Sequence, residues 1–155
     1  MADTAPTLAE LAAEEAELQF AGFTNDDAWA LGTAMVEAAR RQRAPVAIDI
    51  SRNGQQLFHA ALPGTAADND SWIRRKTAVV NRFGHSTLYV RQSFLERGTT
   101  FESATGLDPE QYAAHGGGFP VLVRNVGAVG VVVVSGLPQL EDHRMVVAAL
   151  RAQTT

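Results

Sequence analysis

The sequence contains no cysteine, and its 155 residues include a single lysine, Lys76. Without cysteine, the chain can form no disulfide, hold no thiolate-bound metal cluster and offer no cysteine nucleophile. Long hydrophobic runs are also missing: the longest, 128–134, is interrupted by Gly130 and is far shorter than the roughly 20 residues of a membrane-spanning helix. Residues 1–17 lack the basic start of a signal peptide. We therefore expect a cytoplasmic protein.

The composition is typical of an ordinary globular domain. Hydrophobic residues make up 46% of the chain and charged residues 19%. The formal net charge is −4 and the pI is about 5.5, which gives no general attraction to nucleic acid or to an anionic membrane. The length fits one domain. We expect that domain to span residues 7–153, after a flexible N-terminus at 1–6.

Apolar periodicity, capping residues and turn signals predict elements in the order α-β-α-β-β-α-α-β-β-α. Thr24 and Asp27 form a capping box, and Asn53-Gly54 favours a two-residue hairpin turn. Gly84 is placed to end one helix and Ser86 to begin the next. The expected elements are helix 7–17, strand 18–23, a helix from Thr24 stopped by Pro45, strands 46–50 and 56–60, a helix with possible N-caps at 68–71, helix 86–98, a short helix after Pro109 within a loop at 99–114, strands 121–124 and 129–134, and helix 140–152.

These elements predict the fold class. Two hairpins and one early strand indicate an antiparallel sheet of about five strands, with helices covering at least one face. The run 129–134 is almost entirely valine, so we expect it to be a central strand that is buried on both sides. The chain is therefore expected to be α+β, with two or three layers.

A glycine-rich block, His115-Gly116-Gly117-Gly118-Phe119-Pro120, is the most unusual local feature. Its backbone N–H groups could form a concavity that binds an anion, or the glycines could allow a tight approach to a strand. We give the two interpretations equal weight. An oxyanion hole of the esterase type is excluded, because the chain has no Gly-x-Ser-x-Gly elbow and is too short for such a hydrolase.

Positive charge is concentrated in the segment 71–98. The segment has a net charge of +5, from six positive side chains and one negative, whereas the rest of the chain carries −9. A solvated helix face or a basic subunit face is the favoured interpretation. The alternative is a site for an anion such as a carboxylate, a phosphate or the propionates of a porphyrin. The positive residues are Arg74, Arg75, Lys76, Arg82, Arg91 and Arg97.

The four histidines, at positions 59, 85, 115 and 143, do not have the spacing of a zinc site. Any one of them could serve as an axial haem ligand. A catalytic triad of Ser135, Asp142 and His143 is disfavoured, because two of its members are adjacent in sequence and their side chains diverge on a helix. We expect Asp142 to act instead as a negative charge at the N-terminus of the last helix.

Several blocks of sequence together resemble one known family. They are Asp68 to Lys76, Arg82 to Ser86, His115 to Pro120, Gly127 to Gly130 and Val134 to His143. The chain resembles the haem-degrading-domain superfamily, which includes the glycolate-operon protein GlcG, the haem-binding protein HbpS and the C-terminal domain of PduO-type proteins. It is most similar to a branch of short stand-alone proteins without a settled activity.

The resemblance implies a profilin-like or PAS-like sandwich, and homo-oligomers that are dimers or larger rings. Some members bind haem, and haem degradation or corrinoid handling is attached to others. The superfamily has no invariant iron ligand, so the resemblance assigns none in this chain.

The sequence thus predicts an oligomeric domain that binds a small molecule, with haem or another anionic cofactor as the candidate. An oligomeric scaffold without a ligand is the second hypothesis, and a haem-degrading enzyme the third. We expect no nucleic-acid or membrane partner. The candidate ligand-binding residues are Arg75, Lys76, His85, His115, Gly116, Gly117, Gly118, Ser135 and Gly136.

Overall fold

The computed structural model describes residues 4–154, so residues 1–3 of the predicted flexible N-terminus lie outside the described residues. Within this range, the helices are α1 (Leu8–Glu17), α2 (Asn25–Arg41), α3 (Ala67–Phe83), α4 (Thr87–Glu96), α5 (Phe101–Thr105) and α6 (Gln139–Thr154). The strands are β1 (Gln19–Phe20), β2 (Ala47–Arg52), β3 (Gln55–Ala61), β4 (Gly118–Val123) and β5 (Gly127–Ser135). None of the helices found in residues 4–154 is long and apolar enough to cross a bilayer.

The five strands form one sheet in the order β1-β4-β5-β2-β3. The predicted α+β class and the strand number are confirmed, and the valine-rich β5 lies centrally, between β4 and β2. One pairing differs from the expected antiparallel arrangement, because β1 runs parallel to β4 and pairs Gln19 with Leu122. The chain passes through four helices between these two strands, so no hairpin turn dictated their relative direction.

Helices cover both faces of the sheet, which makes three layers. Alternate residues of β5 face opposite sides: Val132 and Val134 contribute to the larger core beneath α2 and α6, whereas Val131 and Val133 face α3. This alternation follows from the two-residue period of a strand. Both faces of β5 are therefore buried over 131–135, as predicted for the run of valines, whereas 127–130 at the start of the strand are exposed or half-buried.

Several local signals have the structures that they predicted. The Thr24 hydroxyl accepts a hydrogen bond from the Asp27 N–H, and the Asp27 carboxylate accepts one from the Thr24 N–H. Asn53 and Gly54 both have positive φ in the hairpin turn between β2 and β3. Gly84 ends α3 in the left-handed conformation. These features depend on neighbours in sequence, and each was readable from a few residues.

Two helix positions differ from the prediction. The α3 helix begins at Ala67 rather than after one of the possible caps at 68–71, and the Asn69 side chain accepts a hydrogen bond from the Ala66 N–H. The short helix of the 99–114 loop is α5, which precedes Pro109 instead of following it. Its N-cap is Thr100, whose hydroxyl accepts a hydrogen bond from the Ser103 N–H.

The fourth strand begins earlier than expected, at Gly118 rather than Val121. It therefore includes Pro120, which cannot donate to a ladder. The strand β1 pairs only with the later residues Leu122 and Val123, so Pro120 precedes the stretch of β4 that has neighbours on both sides. A proline is tolerated there, and the glycine-rich block runs directly into the sheet.

We expect Gly32→Ala to lower the free energy of unfolding by about 1–3 kcal/mol, which is the usual cost of overpacking a core. Gly32 lies in α2 against the ring of Phe58 on β3, and an added Cβ would overlap the ring carbons. The substitution improves helix propensity, so a loss of stability would report the helix–sheet contact. Urea denaturation measures the change.

The matched control is Gly22→Ala, because a Cβ at Gly22 would meet no heavy atom within 4 Å. This control should change stability by less than about 0.5 kcal/mol. If the Gly32 variant were as stable as the control, the close α2–β3 contact would be wrong.

Candidate functional site

A cleft of about 310 Å³ opens where β5 ends, between the first half of α3 and the start of α6. Its volume is at the lower end of the range for small-molecule sites, roughly 300–1,000 Å³. Most of the residues that line it have polar or charged side chains. The lining residues are Asp68, Asn69, Trp72, Lys76, His115, Ser135, Gly136, Leu137, Gln139 and Asp142.

A buried ion pair forms the inner wall of the cleft. The Lys76 ammonium donates to the Val134 carbonyl oxygen at 3.0 Å and lies 3.2 Å from Oδ2 of Asp142. Both side chains of the pair are 3% exposed. Burial lowers the pKa of Lys76 and raises the pKa of Asp142, in each case against the attraction of the opposite charge. Each charge is therefore maintained chiefly by its partner.

Asp142 is also held by the backbone. Its carboxylate accepts hydrogen bonds from the N–H groups of Gly136, at 3.3 Å, and Leu137, at 2.9 Å. It lies in the first turn of α6, as predicted for a charge at that helix end. The disfavoured triad is absent, because Nε2 of His143 contacts Oε1 of Glu14 at 2.8 Å instead of approaching Ser135.

The three glycines of the glycine-rich block pack behind the ion pair and are buried. The Gly116 N–H donates to Oε1 of Gln139 at 3.1 Å, and the Gly118 N–H donates to Oγ1 of Thr87 at 2.9 Å. These two N–H groups are thus engaged within the protein and cannot build an anion-binding concavity. The structure favours the other interpretation, a tight approach of the chain to a strand.

Gly117 shows what the tight approach achieves. Its φ of 131° is unfavourable for any residue with a side chain, and an added Cβ would lie 2.7 Å from Nζ of Lys76 and 3.1 Å from Cβ of Asp142. Its carbonyl accepts the Val134 N–H at 3.0 Å. The absent side chain therefore leaves the space in which the ion pair lies.

His115 lies at the side of the cleft next to Trp72. The two ring centroids are 5.1 Å apart in an edge contact, and the Arg75 guanidinium lies 4.1 Å from the centroid of the Trp72 ring. Burial, followed by the positive charges of Arg91 and Lys76, lowers the pKa of His115. The imidazole is therefore neutral at pH 7, and most of the charges that act on it are positive.

The other three histidines are held by carboxylates outside the cleft. His59 lies between Asp49, at 2.8 Å, and Asp70, at 3.4 Å. Nδ1 of His85 lies 2.8 Å from Oε1 of Glu15, and His143 contacts Glu14 as described above. No group of three or more His, Asp or Glu side chains in residues 4–154 is arranged to hold a metal ion.

The structure brings some of the predicted ligand-binding residues together and separates others. Lys76, His115, Ser135 and Gly136 line the cleft. Arg75 lies behind Trp72, and His85 is stacked on Tyr89 near α1. The remaining three, Gly116, Gly117 and Gly118, are buried in packing. The basic segment does not converge on one point either, since Arg82 stacks on Tyr112 and Arg97 on Phe94.

Sequence reasoning missed six residues that line the cleft. A signal existed for four of them: Asp68 and Trp72 are spaced four residues apart, as are Trp72 and the predicted Lys76, and they share one face of α3. Gln139 and Asp142 are likewise three residues apart on α6. What the spacing could not reveal is that these two helix faces oppose each other across the end of β5. The missed residues are Asp68, Asn69, Trp72, Leu137, Gln139 and Asp142.

Comparison with known proteins identifies relatives over most of the chain. A family model described as haem degrading protein HbpS-like matches residues 23–151. A UPF0303 protein of Streptomyces coelicolor is 64% identical over 149 residues, which cover 96% of this chain and 94% of that protein.

Solved structures show the same fold. The crystal structure of the Ybr137w protein has a TM-score of 0.85 and 37% identity, and the match covers 95% of this chain and 88% of that one. The structure of a complex of PduOC with haem has a TM-score of 0.65 and 21% identity, with 84% and 94% of the chains covered. At that identity, the likeness to PduOC concerns the fold alone.

We expect Asp142→Asn to lower the free energy of unfolding by about 3 kcal/mol, because it leaves the buried Lys76 charge without its carboxylate. Glu141→Gln is the matched control, since it removes an exposed carboxylate from the same helical turn and should cost less than about 0.5 kcal/mol. Urea denaturation of both variants measures the difference. Equal stabilities would show that the pair does not hold α3 to α6.

The His115 environment makes a prediction about its titration. The imidazole should titrate below its ordinary pKa, and Arg91→Gln should raise that pKa, because removing a nearby positive charge favours the imidazolium. Arg74→Gln is the control, since Arg74 is exposed and is not among the charges that act on His115. NMR titration of the ring protons measures both midpoints. A lower midpoint in the Arg91 variant would contradict this electrostatic description.

Proposed function

The chain belongs to the HbpS-like family of haem-degrading proteins, and from this premise we propose that it is a binding domain for a small anionic molecule. The observation that carries the proposal is the cleft at the end of β5, where the ammonium of Lys76 meets several hydrogen-bonding side chains. Burying a charged side chain costs folding free energy, and ionisable side chains that are buried at the wall of a cleft are concentrated at functional sites.

The cleft has two sides with different chemistry. On one side, the positive charges of Arg91, Lys76 and Arg75 act on His115 and outweigh the opposing effect of Glu102. This side favours an anionic group such as a carboxylate. The arrangement agrees with the predicted anion site, although Lys76 is the only one of these cations that lines the cleft.

The other side offers neutral and acidic hydrogen-bonding groups. Ser135 and Asn69 lie within 3.4 Å of each other, and the carboxylates of Asp68 and Asp142 are close by in the lining. Hydroxyl and amide groups both donate and accept, so this side suits a carbonyl or hydroxyl group of a ligand. We therefore propose a small ligand with a carboxylate at one end and a carbonyl or hydroxyl at the other.

Haem is the ligand suggested by the family name. Only one feature of the cleft, the imidazole of His115, suits haem. His115 offers a neutral imidazole, which is the form that binds iron, and no hydrogen-bond partner is seen for it among the described residues. The rest fits poorly, because cofactor sites have largely apolar walls, whereas this lining includes the carboxylates of Asp68 and Asp142. We therefore derive no haem chemistry from this cleft.

The predicted homo-oligomer and cytoplasmic location remain part of this proposal. The scaffold hypothesis, in which oligomers form without a ligand, rests on the uneven charge of the segment 71–98. Three of its cations are engaged in stacking on aromatic rings within the chain. This observation weakens the argument for a basic docking face, and the cleft gives the ligand-binding hypothesis the stronger support.

Binding should be visible in the fluorescence of Trp72, which lines the cleft. The Trp29→Phe background removes the other tryptophan, which is 63% exposed and lies outside the cleft. Titration with oxamate, a small carboxylate with an adjacent carbonyl, should give a saturable change in emission. Ser135→Ala should weaken binding by roughly tenfold, the effect of one lost hydrogen bond to a ligand.

Ser93→Ala is the matched control, since the Ser93 hydroxyl donates to the Val90 carbonyl away from the cleft. Sodium chloride at equal ionic strength separates oxamate binding from a general salt effect. The absence of a saturable signal would count against the proposal. A sharp haem absorption band that disappears in His115→Ala would make haem the ligand instead.

A further inference from the structure

Lys76 is the only lysine of the chain, and among residues 4–154 it is the only Lys or Arg side chain that lines the cleft. Every other basic residue is an arginine, including the Arg74 and Arg75 that precede it. A guanidinium stays protonated at all accessible pH values and is a poor nucleophile, whereas a lysine amine becomes nucleophilic once it loses a proton. The residue type at this position therefore admits chemistry that none of the arginines could perform.

The surroundings of Nζ suit an amine that reacts. Oδ2 of Asp142 lies 3.2 Å away and can accept a proton from the ammonium. Gly117 has no side chain to displace Nζ, and Lys76 lines the cleft that a small ligand would enter. Burial lowers the pKa of Lys76, which increases the fraction of free amine.

We propose that Lys76 binds its ligand covalently, by forming an imine with the carbonyl carbon of a small 2-oxo acid. The inference rests on the proposed function, because it concerns the same cleft and deepens the class of its ligand. A 2-oxo acid has a carboxylate for the positive side near His115. Its carbonyl would lie toward Ser135 and Lys76.

The reaction balances without any further reagent. The Lys76 ammonium gives a proton to Asp142, and the free amine adds to the carbonyl carbon to form a carbinolamine. The carbinolamine oxygen then takes up a proton from Asp142 and leaves as water, while the nitrogen lone pair forms the C=N bond. The product is an iminium whose positive charge remains beside the Asp142 carboxylate.

Reductive trapping with a borohydride reagent tests the imine directly, because the primary amines of the chain are those of Lys76 and the N-terminus. Native protein is incubated with pyruvate and sodium cyanoborohydride, and the products are mapped by peptide mass spectrometry. We expect one adduct at Lys76, with a mass gain equal to pyruvic acid less one oxygen atom. Its rate should exceed that of Lys76 in urea-unfolded chain by at least about tenfold, since the cleft positions the reactants.

Oxamate is the matched control, since it has nearly the shape of pyruvate but its amide carbonyl forms no imine. It should slow the labelling of Lys76 by pyruvate while leaving the labelling of the N-terminus unchanged. Lys76→Met should yield no adduct beyond the N-terminal one. Should that variant fail to fold, the oxamate protection of the wild-type chain still decides the question.

The outcomes separate the two proposals. If oxamate and pyruvate change Trp72 fluorescence but no adduct forms at Lys76, the imine is overturned and the binding function stands. If neither compound binds and Lys76 is not labelled, both proposals fail. If Lys76 is labelled only at the rate of the unfolded chain, or without protection by oxamate, the adduct is adventitious and the imine is overturned.

Discussion

The end of the domain that holds the cleft depends on the buried pair of Lys76 and Asp142. Both side chains are 3% exposed, so the ammonium needs the carboxylate and the Val134 carbonyl, and the carboxylate needs two backbone N–H groups. These contacts join α3, the end of β5 and the start of α6. A displacement of any of the three would leave a buried charge unsatisfied, which fixes the geometry of the cleft.

The glycine-rich block is the complement of that pair. A side chain at Gly117 would occupy the space of the ammonium, and one at Gly118 would meet Thr87 at 2.9 Å. The glycine-rich block thus brings β4 close to α3 and α4. Two of its N–H groups donate hydrogen bonds to Gln139 and Thr87. The block and the ion pair therefore depend on each other, because a residue with a side chain at Gly117 would overlap both members of the pair.

Whether a feature of the fold or the site could be predicted from the sequence depended on how far apart in sequence the interacting residues are. The capping box at Thr24 and the Asn53-Gly54 turn involve residues close in sequence, and both were predicted. The direction of β1 and the partner of Lys76 depend on residues distant in sequence, and the members of the ion pair have a sequence separation of 66. Sequence placed Lys76 in a binding site as one of several cations. Only the fold showed that the other cations lie elsewhere and that Asp142 faces it.

The pair also explains why a lysine rather than an arginine belongs here. A guanidinium is larger and planar, and it presents five donors in a fixed fork that a single carboxylate oxygen and one carbonyl cannot satisfy. The ammonium is compact and has three donors, two of which are engaged by Val134 and Asp142. Lys76 also lines the cleft, so the amine needed for the proposed imine lies at the site itself. The buried pair and the proposed imine therefore require the same residue, a lysine, at position 76.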